Sequence, residues 1–71
     1  MSVEILAPMP GKIIDVLVNV GDQVSEDDEL LILEAMKMEN PVYATAGGVV
    51  KEIKVKKDDT VDSDQLLIVL E

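Results

Sequence analysis

The chain has 71 residues, a net charge of −9, six lysines, and no arginine, histidine or cysteine. Disulfides, thiolate nucleophiles and imidazole ligands are therefore excluded, and a chain with no cationic patch is a poor partner for nucleic acid or anionic membrane surfaces. Tyr43 is the sole aromatic residue, too little for base stacking or an aromatic cage.

A chain this short has room for one domain with a modest core, and residues 1–71 are taken as that domain. The absence of cysteine suits a cytoplasmic protein. The opening "MSVEILAP" lacks the basic start and long apolar stretch of a signal peptide. The longest apolar runs, "LLILEAM" and "LLIVL", are far too short to cross a bilayer, so direct membrane insertion is not expected.

In chain order, the turn signal "PMPG" leads into "KIIDVLVNV", Lys12–Val20. Its alternation predicts a strand with Ile14, Val16, Val18 and Val20 on the inner face and Asp15 and Asn19 on the outer. Turn-forming "VGDQ" and "SEDD" come next, then the continuous apolar run "ELLILE", read as a strand covered on both faces. "LLILEAM" then runs in and "MENPVYA" runs out, which predicts a reversal around Met36, Lys37 and Met38. No glycine or Asn-Gly marks this reversal. Pro41 belongs at the start or on an edge of the outgoing strand, because it cannot donate a ladder hydrogen bond. After "AGG", the stretch "VVKEIKVKK" repeats the alternation, with Val49, Ile53 and Val55 expected inside and Glu52, Lys54 and Lys56 outside. Turns at "KKDD" and "DSD" lead to a second apolar run, "QLLIVLE".

The two halves are copies of one unit. Residues 7–34 lie over 44–71 without a gap, matching Ala7 to Ala44, Gly11 to Gly48, Asp22 to Asp59, Leu30 to Leu67 and Glu34 to Glu71. No stretch combines helical spacing with sufficient length. The fold class expected is all-β: two interlocked small sheets with pseudo-two-fold symmetry, forming a flattened barrel or sandwich. The symmetry breaks at Lys37, whose mate at this offset falls outside the chain. Lys37 should therefore sit on a connection at one tip, with Met1 and Glu71 at the opposite tip.

Lysine in a turn is ordinarily a solvated charge, and Lys12, Lys51, Lys54, Lys56 and Lys57 are read that way. Lys37 differs in standing between two thioethers, in "EAMKMEN". With "APMPGKIIDVLVNVGDQV" before it and "AGGVVKEIKV" after it, nearly the whole chain resembles the biotinyl domain of biotin-dependent carboxylases and decarboxylases. This is the biotin carboxyl carrier protein family. The specific element is the Ala35-Met36-Lys37-Met38 core with Glu34 ahead of it, set between two β repeats.

The resemblance implies a flattened β-barrel of two four-stranded antiparallel sheets, with Lys37 on an exposed hairpin. It implies that a biotin protein ligase joins biotin to the Lys37 amine as an amide. Biotin on Lys37 would then shuttle carboxyl groups between a biotin carboxylase site and a carboxyltransferase or decarboxylase site. The carrier itself would catalyse neither reaction. Met36 and Met38 would either offer contacts to the ligase and partner sites or pack the hairpin. The setting implied is cytoplasmic, or the mitochondrial matrix for a domain excised from a eukaryotic carboxylase.

The chain departs from the family where glycine is frequent, at Asp27, Asp58 and Asp64, positions that call for positive φ. It also has no room for the protruding loop that some members insert in the first unit, which points to the simpler carriers of decarboxylases, transcarboxylases and multifunctional carboxylases. Lipoyl domains share the fold but resemble Asp-Lys-Ala at this hairpin. The similar unmodified modules of membrane-fusion adaptors give no reason for Met-Lys-Met. A self-contained enzyme lacks the side chains to work with.

Overall fold

A computed structural model describes residues 2–71. Eight strands run β1 (Val3–Leu6), β2 (Gly11–Val16), β3 (Gln23–Val24), β4 (Glu29–Ala35), β5 (Met38–Tyr43), β6 (Gly48–Ile53), β7 (Thr60–Val61) and β8 (Leu66–Leu70). They form two four-stranded sheets, ordered β1-β8-β6-β3 and β5-β4-β2-β7, with every pairing antiparallel. The all-β expectation holds. Among the described residues no helix is long and apolar enough to cross a membrane.

The sequence repeat is the symmetry of the fold. Strands β1 to β4 correspond to β5 to β8, and this exchange turns the strand order of one sheet into that of the other. Loop hydrogen bonds repeat in pairs. The Asn19 amide donates to Asp22 Oδ2 at 2.8 Å, and the Lys56 amide to Asp59 Oδ2 at 2.9 Å. The Ser25 amide donates to Asp28 Oδ2 at 2.8 Å, and the Asp62 amide to Gln65 Oε1 at 2.9 Å. Backbone bonds also cross between the halves, Gly21 N–H to Val50 O and Asp58 N–H to Ile13 O. Neither repeat therefore closes its hydrogen bonds alone.

Positive φ recurs on the same register, at Gly21 (97°) and Asp58 (76°) and at Asp27 (73°) and Asp64 (64°). Aspartate tolerates this region better than most residues with a Cβ, through short-range hydrogen bonding of its side chain. The three aspartates expected at positive φ all adopt it.

The core is aliphatic. Ile13, Leu30, Leu31, Leu33, Leu67, Ile68 and Leu70 are fully buried, and no polar or charged residue is buried among the described residues. Burial of each such side chain contributes about 1.5–3 kcal/mol. Strands β4 and β8 occupy inner positions of their sheets, as their continuous apolar runs suggest.

The expected inward placement holds for Val16, Val18, Ile53 and Val55, which pack on the core, and needs correction at the remaining positions. Ile13 and Val50 are the fully buried residues, Ile14 is half-buried, and Val49 and Val20 are exposed. The cause is a β-bulge in each strand, between Ile13 and Asp15 and between Val50 and Glu52, which shifts the alternation by one residue. Strand β2 ends at Val16, so Val18 and Val20 lie beyond it.

The molecule is elongated, 32 × 17 × 17 Å. β1 and β8 run side by side through Val3↔Leu70, the symmetry counterpart of Asn40↔Leu33 at the base of the β4–β5 hairpin. Glu71 thus lies where the symmetry requires, while Met1 lies outside the described residues.

Candidate functional site

β4 and β5 form a hairpin paired through Leu33↔Asn40, Glu34↔Glu39 and Ala35↔Met38, which leaves Met36 and Lys37 as a two-residue turn. Both have positive φ, 54° and 65°, the signature of a type I′ turn. Such turns favour Asn-Gly because the left-handed region costs an ordinary L-residue about 1–2 kcal/mol. Here a methionine and a lysine are held there by the ladder on either side. Strained backbone of this kind concentrates at functional sites.

Lys37 is exposed and makes no ion pair among the described residues. Three other lysines do pair, Lys12 with Asp58 at 3.8 Å, Lys51 with Glu71 at 3.4 Å and Lys54 with Glu52. Met36 is 91% exposed and Met38 65%. Both side chains therefore stand largely open to solvent. Ala35 is buried directly before the turn.

Glu34 and Glu39 stand opposite one another, both exposed. Like charges at directly opposed positions destabilise a sheet pair. On the far side of β4, Lys12 is the register partner of Glu34, but its ammonium goes to Asp58. The base of the hairpin therefore carries uncompensated negative charge.

Two supports were not read from the sequence. Gly11 lies in β2 where a Cβ would run into the Glu34 carbonyl oxygen and come within 3.1 Å of Leu33 Cδ1. The glycine lets β2 approach the hairpin base. Its recurrence as Gly48 in the second repeat was the available signal. Asn40 Nδ2 donates to Met38 O at 3.2 Å and buttresses the outgoing strand. Pro41 lies in β5, an edge strand, as expected.

A family model described as biotin-requiring enzyme matches residues 3–70. The chain belongs to this family. Over 64 residues it is 55% identical to the biotin carboxyl carrier protein of Streptococcus mutans, an alignment covering 90% of this chain and 49% of that protein. It is 43% identical over 68 residues to the mitochondrial pyruvate carboxylase of Mus musculus, covering 96% of this chain and 6% of that protein. The chain thus spans about half of the first relative and a small part of the second. The crystal structure of the Kluyveromyces lactis urea carboxylase superposes with a TM-score of 0.94 at 32% identity, over 100% of this chain and 6% of that one. Membership of the biotin-requiring enzyme family and the two-sheet fold both agree with the motif around Lys37.

Proposed function

We propose that residues 1–71 form one biotinyl domain, with Lys37 as the attachment point for biotin. The observation that carries this reading is an exposed lysine, without an ion pair among the described residues, on a strained two-residue turn in a chain of the biotin-requiring enzyme family. The hairpin fits the group. An amine at the tip can enter a ligase's active site, while the ladder beneath keeps the tip in one shape.

For attachment, the Lys37 Nζ lone pair attacks the activated carboxyl carbon that a biotin protein ligase presents. The activating group departs, and Nζ gives up a proton to leave an amide. The ligase reads Met36 and Met38, whose exposed thioethers adapt to an apolar surface. Glu34 and Glu39 favour a basic surface around the ligase opening, and the buried Ala35 closes the incoming strand directly before the turn.

Biotin so bound supplies the atom that holds a carboxyl group in transit. The chain's own contribution is mechanical. The lysine side chain gives length and rotatable bonds, and the sheets give a rigid base. Covalent linkage replaces diffusion between partner sites with an effective concentration. The partners of this reading are a biotin carboxylase and a carboxyltransferase or decarboxylase, and the domain catalyses neither step. The compartment is the cytoplasm, or the mitochondrial matrix within a eukaryotic carboxylase.

The test is reconstitution. The biotinylated chain is added to the biotin carboxylase component of a carboxylase lacking its own carrier, with bicarbonate and ATP, and label from bicarbonate is followed. Label is expected on the chain and lost on adding the carboxyltransferase with its acceptor. A biotinylated chain that takes up no label would defeat the carrier reading.

A further inference from the structure

The edge strands β1 and β5 flank an open cleft of about 500 Å³. Its walls obey the internal repeat position by position: Ile5, Leu6 and Pro8 on one side meet Val42, Tyr43 and Thr45 on the other. The cleft therefore lies on the pseudo-two-fold axis, between the open edges of the two sheets. It is apolar and accessible, with Leu6 43% and Tyr43 48% exposed.

Its rim carries one sign of charge. Glu4 lines the cleft and has no ion-pair partner among the described residues. Glu29 stands opposite Tyr43 in the register. The turn carrying Glu26, Asp27 and Asp28 is hydrogen-bonded to Ala44, through Asp27 N–H to Ala44 O and Ala44 N–H to Asp28 O. The turn carrying Asp62 and Asp64 is bonded to Ala7 in the same way. No lysine occurs in β1, β4, β5, β8 or these two turns. Pro41 removes a donor from the edge of β5, whereas β1 contains no proline and keeps its edge groups.

We propose that this cleft docks an extended segment of a partner polypeptide in which apolar side chains alternate with lysine or arginine. The apolar side chains enter between Leu6 and Tyr43, the cations meet the acidic rim, and the backbone lies along the edge of β1. The cleft begins at Pro41, off the turn, so an occupant leaves Lys37 free. A partner can thus hold the domain while its tip engages an active site. The inference stands on the cleft alone and does not depend on modification of Lys37.

The test titrates the full isotope-labelled chain with a capped six-residue peptide alternating lysine and leucine, and with the same peptide carrying glutamate for lysine. Amide shifts are expected at Glu4–Leu6 and Val42–Thr45 with the lysine peptide only, and Met36–Met38 should stay in place. Leu6→Ser with Tyr43→Ser should weaken binding about tenfold or more, the value of roughly one buried aliphatic contact. Both positions are half-exposed, and the unshifted remainder of the spectrum reports the fold. Glu4→Lys, which keeps the apolar walls, should also weaken it. Shifts elsewhere, equal binding of the glutamate peptide, or affinity unchanged in these variants would overturn the proposal. So would shifts at these residues that grow with protein concentration alone, which would make the occupant a second copy.

Discussion

Gly11 and Gly48 occupy equivalent places in the two repeats, so the same substitution at each is an internal control. In Gly11→Ala the new methyl runs into the Glu34 carbonyl. Glu34 cannot yield, because β4 is paired at this point on both sides, to Lys12 and to Glu39. The strands must separate, a cost of about 1–3 kcal/mol for overpacking. Alanine returns about 0.4–1 kcal/mol by restricting the unfolded chain, leaving a net loss centred on about 1.3 kcal/mol. In Gly48→Ala the methyl comes 3.0 Å from the Glu71 carbonyl oxygen. Glu71 is bonded on one side only, through reciprocal bonds with Val49 at 2.8 Å, and can shift by a few tenths of an ångström. The entropic gain then offsets the strain, and the change should stay within about 0.5 kcal/mol. Urea unfolding followed by far-UV circular dichroism reads this directly. With a slope of about 1 kcal/mol per molar urea, the Gly11→Ala midpoint should fall by about 1.3 M, while Gly48→Ala stays near wild type. Equal shifts for the two variants, or a Gly11→Ala protein as stable as wild type, would refute the packing argument.

At Asp64, where φ is 64°, Asp64→Gly should be more stable than Asp64→Ala by about 1 kcal/mol in the same urea assay. Met36→Gln and Met38→Gln should leave the unfolding midpoint unchanged within about 0.5 kcal/mol, given their exposure. Each should slow ligase-dependent mass gain if the thioethers are read by the ligase. The hydrogen bond from Lys54, then its charge, lowers the Glu52 carboxyl pKa from its ordinary value; desolvation opposes this, and the charge of Lys51 adds a smaller lowering. In Lys54→Met the Glu52 titration, followed by carboxyl NMR, should move up. A depressed folded-state value contributes stability above the unfolded pKa and loses it as pH falls through the folded one. Any deficit of Lys54→Met should therefore appear at neutral pH and vanish in acid.

The architecture was readable because the repeat was. Matches such as Gly11 with Gly48 and Leu30 with Leu67 carry the symmetry that exchanges the two sheets. Ile14 was read for Ile13 and Val49 for Val50, because each strand holds two adjacent β-branched residues and a bulge leaves no compositional mark; Val16, Val18, Ile53 and Val55 pack on the core as read. The turn type was hidden because Met36 and Lys37 adopt positive φ without glycine or asparagine; the ladder imposes it, not local preference. The aspartates at positive φ were legible from the family pattern, since glycine often stands there. The cleft was not, because it exists only where two edges far apart in sequence come together across the axis.

The most direct test of the central claim is intact mass after co-expression with a biotin protein ligase, for wild type and for Lys37→Arg, with streptavidin binding alongside. Wild type should gain the mass of one biotinyl group, and Lys37→Arg should gain none while unfolding at an unchanged urea midpoint. A wild-type chain that gains nothing, or a Lys37→Arg chain that still becomes biotinylated, would contradict the assignment of Lys37.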